Sequence, residues 1–254
     1  MSKISDRLTK LGQIERTGFG FGVKSVRTKV PVILVGVEVN DAKSAEGIDA
    51  DFYVVNPGKN GAAQSEAIEN AEMWGAAVSG GTGKEIVAAV DSGADFVVAV
   101  GEGAPGTLLR DEEIGKGIVV DGEISEDRSK AIDSGLFDFL ILDGSLISLP
   151  LSLGSVLDLQ EQLTKYSNHI FLKMNQIPDQ EALELLRDFG ISALIYEASA
   201  TKNDDLANVR STIDKIEPKK HKSNAGASLP QSNDTTAVKE HEENDHDFED
   251  DDWE

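Results

Sequence analysis

The chain has no cysteine anywhere in its 254 residues, which excludes disulfides, thiolate nucleophiles, cysteine-ligated zinc and iron–sulfur clusters. Histidine is nearly as scarce, with four residues: His169, then His221, His241 and His246 close to the C-terminus. Serine–histidine triads and histidine-rich zinc sites are therefore not expected. No run of 18 apolar residues occurs, so no membrane-spanning helix is expected. The opening MSKISDRLTKLGQIERTG lacks the apolar stretch of an export signal, and a cytoplasmic location is the expectation. Positive charge is also short, with 24 Lys and Arg against 46 Asp and Glu and a net charge of −22. A surface of that sign repels phosphate backbones and anionic lipid, so neither nucleic acid nor a membrane surface is expected as a partner.

Eight short apolar runs are present: VPVILVGVEV (30–39), DFYVVN (51–56), MWGAAVS (73–79), DFVVAVG (95–101), GIVVDGEI (117–124), DFLILDG (138–144), HIFLKMN (169–175) and ALIYEA (193–198). Their β-branched and aromatic residues do not alternate cleanly with polar ones, which is the pattern of strands buried on both faces of a parallel sheet. Helical spacing is expected over 4–15, 63–72, 83–92, 107–115, 125–134, 152–167, 179–188 and 201–215, whereas the connection 40–48 has room for only a turn or two. Four strands follow an acidic residue and a glycine, at Gly47, Gly93, Gly135 and Gly190, where a left-handed residue would end one helix before the next strand. The chain thus reads as four βαβα quarters, an α/β chain closed into a (β/α)8 TIM-like barrel over 1–216, in preference to an open doubly wound sheet. A leading helix precedes the barrel, and Phe19 and Phe21 in GFGFG would plug its bottom. From residue 217 the composition turns to Pro, Ser, Asn and charge, with 12 acidic and 4 basic residues to the end, and a disordered acidic tail is expected over 217–254. The strand pattern and the glycines that precede the strands resemble TIM barrels of the aldolase and phosphate-binding type across about residues 30–216. That resemblance implies a small-molecule site at the C-terminal ends of the strands.

Those ends carry Glu38, Asn40, Asn56, Ser79, Glu102, Asp121, Glu123, Asp143, Ser145, Lys173, Asn175, Glu197 and Ser199. Lys173 lies inside an apolar strand and would have to reach the polar mouth, as base or Schiff-base amine of a lyase or isomerase, with Asp143, Glu197 and Glu38 moving protons. The plainer alternative is a structural ion pair with Asp143 or Glu197. Carboxylates are also hard oxygen donors, and Glu102 and Asp121 would contribute to a Mg²⁺ site. In SGGTGKE, the residues Gly80, Gly81, Gly83 and Lys84 would cradle an anion or a phosphate at a helix start. GEGAPG, from Gly101 to Gly106, matches the dinucleotide pattern GxGxxG with Asp121 about twenty residues on, although Glu102 and Pro105 suit a pyrophosphate poorly. The loops after strands 7 and 8, NQIPDQ and ASATKN, lack the glycines that barrels use to hold phosphate. In the tail, Phe248 and Trp253 stand among acids and would dock on a basic, apolar groove of a protein partner. A non-catalytic scaffold recruiting partners through that tail therefore stands beside the enzyme reading.

Overall fold

Eight strands close into one parallel barrel in the computed structural model, which describes residues 2–16, 27–56, 68, 71–145 and 147–219. They are β1 Leu34–Val39, β2 Phe52–Val55, β3 Trp74–Val78, β4 Phe96–Val100, β5 Gly115–Val120, β6 Phe139–Asp143, β7 His169–Met174 and β8 Ile191–Glu197. Each pairs with its neighbour in the chain, and β8 closes on β1. Six helices are described: α1 Lys3–Thr9, α2 Gly83–Asp91, α3 Glu126–Asp133, α4 Leu153–Leu163, α5 Gln180–Phe189 and α6 Asn203–Ile213. All eight expected strands are found, though β5 starts two residues early and stops at Val120, leaving Asp121–Glu123 in a turn. Among the described residues no helix is long and apolar enough to cross a membrane.

The helices depart further from expectation. The segment 107–115 forms only a 3-10 turn at Gly106–Arg110, while 40–48 holds the single short turn expected of it, at Ala42–Ala45. α1 is capped by Ser2 and stops at Thr9, because Gly12 takes a left-handed φ of +68° and Ile14–Arg16 pairs antiparallel with Arg27–Lys29. Gly47, Gly93 and Gly190 are left-handed at φ +76°, +89° and +91°, as their positions before strands require. Gly135 is not among the left-handed glycines, since Ser134 ends α3 in the right-handed region and the Gly135 amide still bonds back to the Ile132 carbonyl. The expected helix 63–72 (apart from residues 68, 71 and 72), the GFGFG segment and residues 220–254 lie outside the described residues.

Why the barrel closes on this interior follows from a repeated dipeptide. β2, β4 and β6 are each entered through Asp-Phe, at 51–52, 95–96 and 138–139, with the Phe as first strand residue. Each Phe turns inward over a glycine of the preceding strand: a Cβ added to Gly36, Gly75 or Gly117 would lie 2.2, 2.2 or 2.3 Å from the ring of Phe52, Phe96 or Phe139. Phe171 of β7 completes the layer, stacked on Phe139 at 4.2 Å between centroids and 5.3 Å from Phe52. All four rings are fully buried. The aspartates tie neighbours together, Asp51 Oδ2 accepting from the Val35 amide and Asp138 Oδ2 from the Lys116 amide, both at 2.7 Å. Asp95 instead accepts from the Lys3 and Ile4 amides, each at 2.8 Å. It thereby holds the N-terminus of α1 while Ile4 and Leu8 pack into the interior cluster with the phenylalanines.

His169 opens β7 with its Nδ1 3.0 Å from the Ser192 hydroxyl. Burial lowers its pKa below the ordinary 6.5, and Asp138 only partly opposes this. A folded pKa below the unfolded one means that the unfolded chain protonates first as pH falls. The stability contributed by neutral His169 is thus present above about pH 6.5 and is lost below it. Denaturant midpoints measured from pH 7.5 to 5 are expected to fall less steeply in His169→Gln than in the parent chain, and equal slopes would remove His169 as the cause.

Candidate functional site

Strand alternation carries the inner face upward from the aromatic layer. On β7, Phe171 lies in the interior and Lys173, two residues on, faces the same side at the C-terminal end. On β1, Leu34 is interior, and Glu38 lies four residues further along the same face. The two side chains meet across the mouth: Lys173 Nζ donates to Glu38 Oε2 at 2.7 Å, with side-chain exposures of 41% and 18%. Asn56, just past β2, donates from Nδ2 to the other oxygen, Glu38 Oε1, at 2.6 Å. One carboxylate is therefore gripped at both oxygens by groups from two other strand ends. The partner of Lys173 is Glu38, whereas the plainer reading of the sequence had named Asp143 or Glu197. Asn56 was visible at a strand end, but nothing in the sequence marked it as the residue that orients Glu38.

Asp143 and Glu197 flank this pair. Asp143 is level with Lys173 on the neighbouring strand, and its two oxygens accept from the Ser145 amide at 2.8 Å and the Ser145 hydroxyl at 2.9 Å. Glu197 is level with Glu38, and its Oε1 accepts from the Ser199 hydroxyl at 2.6 Å. A cavity of about 140 Å³ opens there, lined by Glu38, Val39, Asn40, Ser44, Glu197 and Ser199 together with Ala198.

The other candidates do not join this group. Glu102 is exposed and accepts from Arg128 Nε at 2.6 Å, and Asp121 is exposed in the turn after β5. Among the described residues no three His, Cys, Asp or Glu side chains are placed to hold a metal ion. In the loop before α2, Thr82 caps the helix and Glu85 Oε2 accepts from the Thr82 amide and hydroxyl, each at 2.8 Å. Hydrogen bonds from its own amide first, then from Thr82, hold the Glu85 carboxyl below the usual carboxylate range. The helix start at which Gly80, Gly81, Gly83 and Lys84 were expected to cradle an anion thus already holds a carboxylate, and Lys84 is exposed. After Gly101–Gly106 comes a 3-10 turn in a closed barrel. The dinucleotide reading needs an open-sheet crevice and a helix N-terminus for the pyrophosphate, and neither is there. A larger cavity of about 820 Å³ lies at the entry of β2, lined among others by Tyr53, Glu72 and Arg210, with Arg210 bridging Asp49 and Asp51. Neither Glu38 nor Lys173 lines it.

No family model and no curated protein matches this chain. Solved structures do. KGPDC from Streptococcus mutans is similar with a TM-score of 0.56 at 10% identity, over 72% of this chain and 98% of that one. The 3-keto-L-gulonate-6-phosphate decarboxylase of Vibrio cholerae O1 gives 0.52 at 14% identity, over 73% and 99%. A mutant tryptophan synthase alpha-subunit from Pyrococcus furiosus gives 0.52 at 10% identity, over 72% and 97%. At such identities the likeness shows the fold alone, a TIM barrel.

Proposed function

We propose that the chain is a small-molecule lyase or isomerase acting on a carbonyl compound through Lys173 and Glu38. The observation that carries this reading is the 2.7 Å contact between the two side chains, at the mouth of an interior that is otherwise apolar. A charge pair over an aromatic floor interacts more strongly than one in water. The decarboxylase and synthase named above are barrels of the same architecture, which supports the reaction class.

An ammonium has three donors, so Lys173 can hold Glu38 and still donate to a substrate carbonyl oxygen. Glu38 then removes the proton from the carbon beside that carbonyl. The C–H electron pair becomes a C=C bond, the C=O pair moves onto oxygen, and the Lys173 ammonium stabilises the enolate. Where the deprotonated carbon bears a hydroxyl, that hydroxyl gives its proton to the enolate oxygen, and returning the carbon proton to the former carbonyl carbon completes an isomerisation. In the lyase variant Glu38 takes the proton of a hydroxyl one carbon further on, that carbon leaves as a second carbonyl compound, and the pair of the broken C–C bond forms the enolate, which solvent then protonates. Asn56 keeps the Glu38 carboxylate aimed at the mouth.

Solvent-deuterium exchange followed by NMR, with a panel of enolisable hydroxy- and amino-carbonyl compounds, tests the proposal. Exchange is expected with the parent chain and is expected to fall at least about 100-fold in Lys173→Met and in Glu38→Gln, with melting temperatures little changed. No exchange with any compound, or exchange that survives Lys173→Met, overturns it. Borohydride reduction with the same panel asks a separate question: a covalent adduct on Lys173 would make it the Schiff-base amine.

A further inference from the structure

Phosphorylated substrates suit barrels that offer a ligand open amides at helix N-termini and a surplus of positive charge. Among the described residues this mouth offers neither. α2 is closed by Thr82 and Glu85, α3 by Ser125, α4 by Ser152 and α5 by Asp179, each side chain accepting from an amide of its own helix. α6 has no side-chain cap, but Asp204 and Asp205 occupy its first turn, where carboxylates already meet the positive end of the helix dipole. On the rim from β6 round to β1 stand Asp143, Lys173, Glu197 and Glu38, three carboxylates against one ammonium. That ammonium is already engaged by Glu38.

Resting on the proposed lyase or isomerase reading, we infer that the substrate of this mouth is a small carbonyl compound bearing an ammonium group, and that Glu197 is the residue that selects it. Glu197 sits level with Glu38 on the adjacent strand, about 4.8 Å away along the hydrogen-bonding direction. Lys173 compensates Glu38, while Glu197 is held by the Ser199 hydroxyl and pairs with no cation among the described residues. Both carboxylates line the same cavity of about 140 Å³, a space for about five waters. It accepts an aminomethyl ketone and is small for a sugar phosphate. An ammonium there is attracted by Glu197, beside the Glu38 carboxylate that Lys173 contacts at 2.7 Å, whereas a phosphate would face two carboxylates.

The test uses three ketones that differ in one group: aminoacetone, hydroxyacetone and hydroxyacetone phosphate. Binding is read by ligand-observed NMR and proton exchange in the same samples, with the full-length chain. Aminoacetone is expected to bind at least tenfold more tightly than hydroxyacetone, with hydroxyacetone phosphate weakest. Glu197→Gln is expected to bring the first ratio within threefold, whatever the absolute affinities, and 0.5 M NaCl is expected to shrink it in the parent chain. Tightest binding by the phosphate, binding by none of the three, or an ammonium preference that survives Glu197→Gln overturns the inference. If the binding order is as expected and no ketone exchanges, the substrate class stands and the catalytic roles of Lys173 and Glu38 fall.

Discussion

Alanine in place of Gly36 is expected to cost about 3 kcal/mol of stability, at the upper end of what overpacking a core removes, and to regain most of it when Phe52 is shortened to leucine in the same chain. A Cβ at Gly36 would lie 2.2 to 2.8 Å from three ring atoms of Phe52, and these ring atoms are its nearest neighbours. The ring cannot swing aside, because it is fully buried and has Phe171 5.3 Å and Phe96 6.0 Å away. Phe52→Leu alone opens a void and should itself destabilise, so the informative quantity is the coupling in a double-mutant cycle. It should be favourable by more than about 1 kcal/mol, as for residues in direct contact. Gly75 supplies the control. A Cβ there meets the Phe96 ring at 2.2 Å but also the Phe96 carbonyl oxygen at 2.6 Å, so shortening Phe96 should rescue Gly75→Ala much less. Equal rescue at both positions, measured by urea denaturation, would contradict the packing account.

Ile4→Ala is expected to cost about 3 kcal/mol as well, and to release α1 from the barrel. The helix has seven residues, too few to persist alone in water, so it is helical because it is docked. Three features dock it: Ile4 fully buried, Leu8 nearly so, and Asp95 receiving the first two amides of the helix. Ile4 also fills the space beside Gly115, where a Cβ would come within 2.6 Å of its side chain. Hydrogen exchange should show the amides of residues 3–9 losing protection in Ile4→Ala before those of β4 or β5. Retained protection together with a full loss of global stability would mean that Ile4 only fills volume. Asp95→Asn, which keeps one carbonyl acceptor for two amides, should fall between the parent chain and Ile4→Ala.

The strands were readable because strand burial leaves an apolar run whichever way the sheet curls, and Gly47, Gly93 and Gly190 marked three entries by a backbone conformation that favours glycine. Gly135 misled because the residue before it, Ser134, could end its helix without a left-handed turn. The leading helix was read too long for a comparable reason: Leu11 and Ile14 continue the helical spacing, and the spacing does not register that Gly12 turns the chain back into a ribbon. In the mouth, Lys173 was legible as a charge out of place in an apolar strand. Its partner was not, because Glu38 lies 135 residues away in the chain and meets Lys173 only once β7, β8 and β1 are side by side. The Asp-Phe repeat was visible as letters, but its meaning depended on which glycine each ring covers, which is a matter of register between strands.

The aromatic layer also bears on how such a chain can change over generations. Four rings, three glycines and the docked helix place much of the interior packing in the lower half of the barrel, away from the strand ends that meet a ligand. Substitutions in the loops above can then be sampled with little penalty to folding, since surface changes remote from such packing usually alter stability by no more than about 0.5 kcal/mol. A fold divided in this way is free to trade one rim chemistry for another, and an acidic mouth is one result open to an architecture that elsewhere holds phosphates.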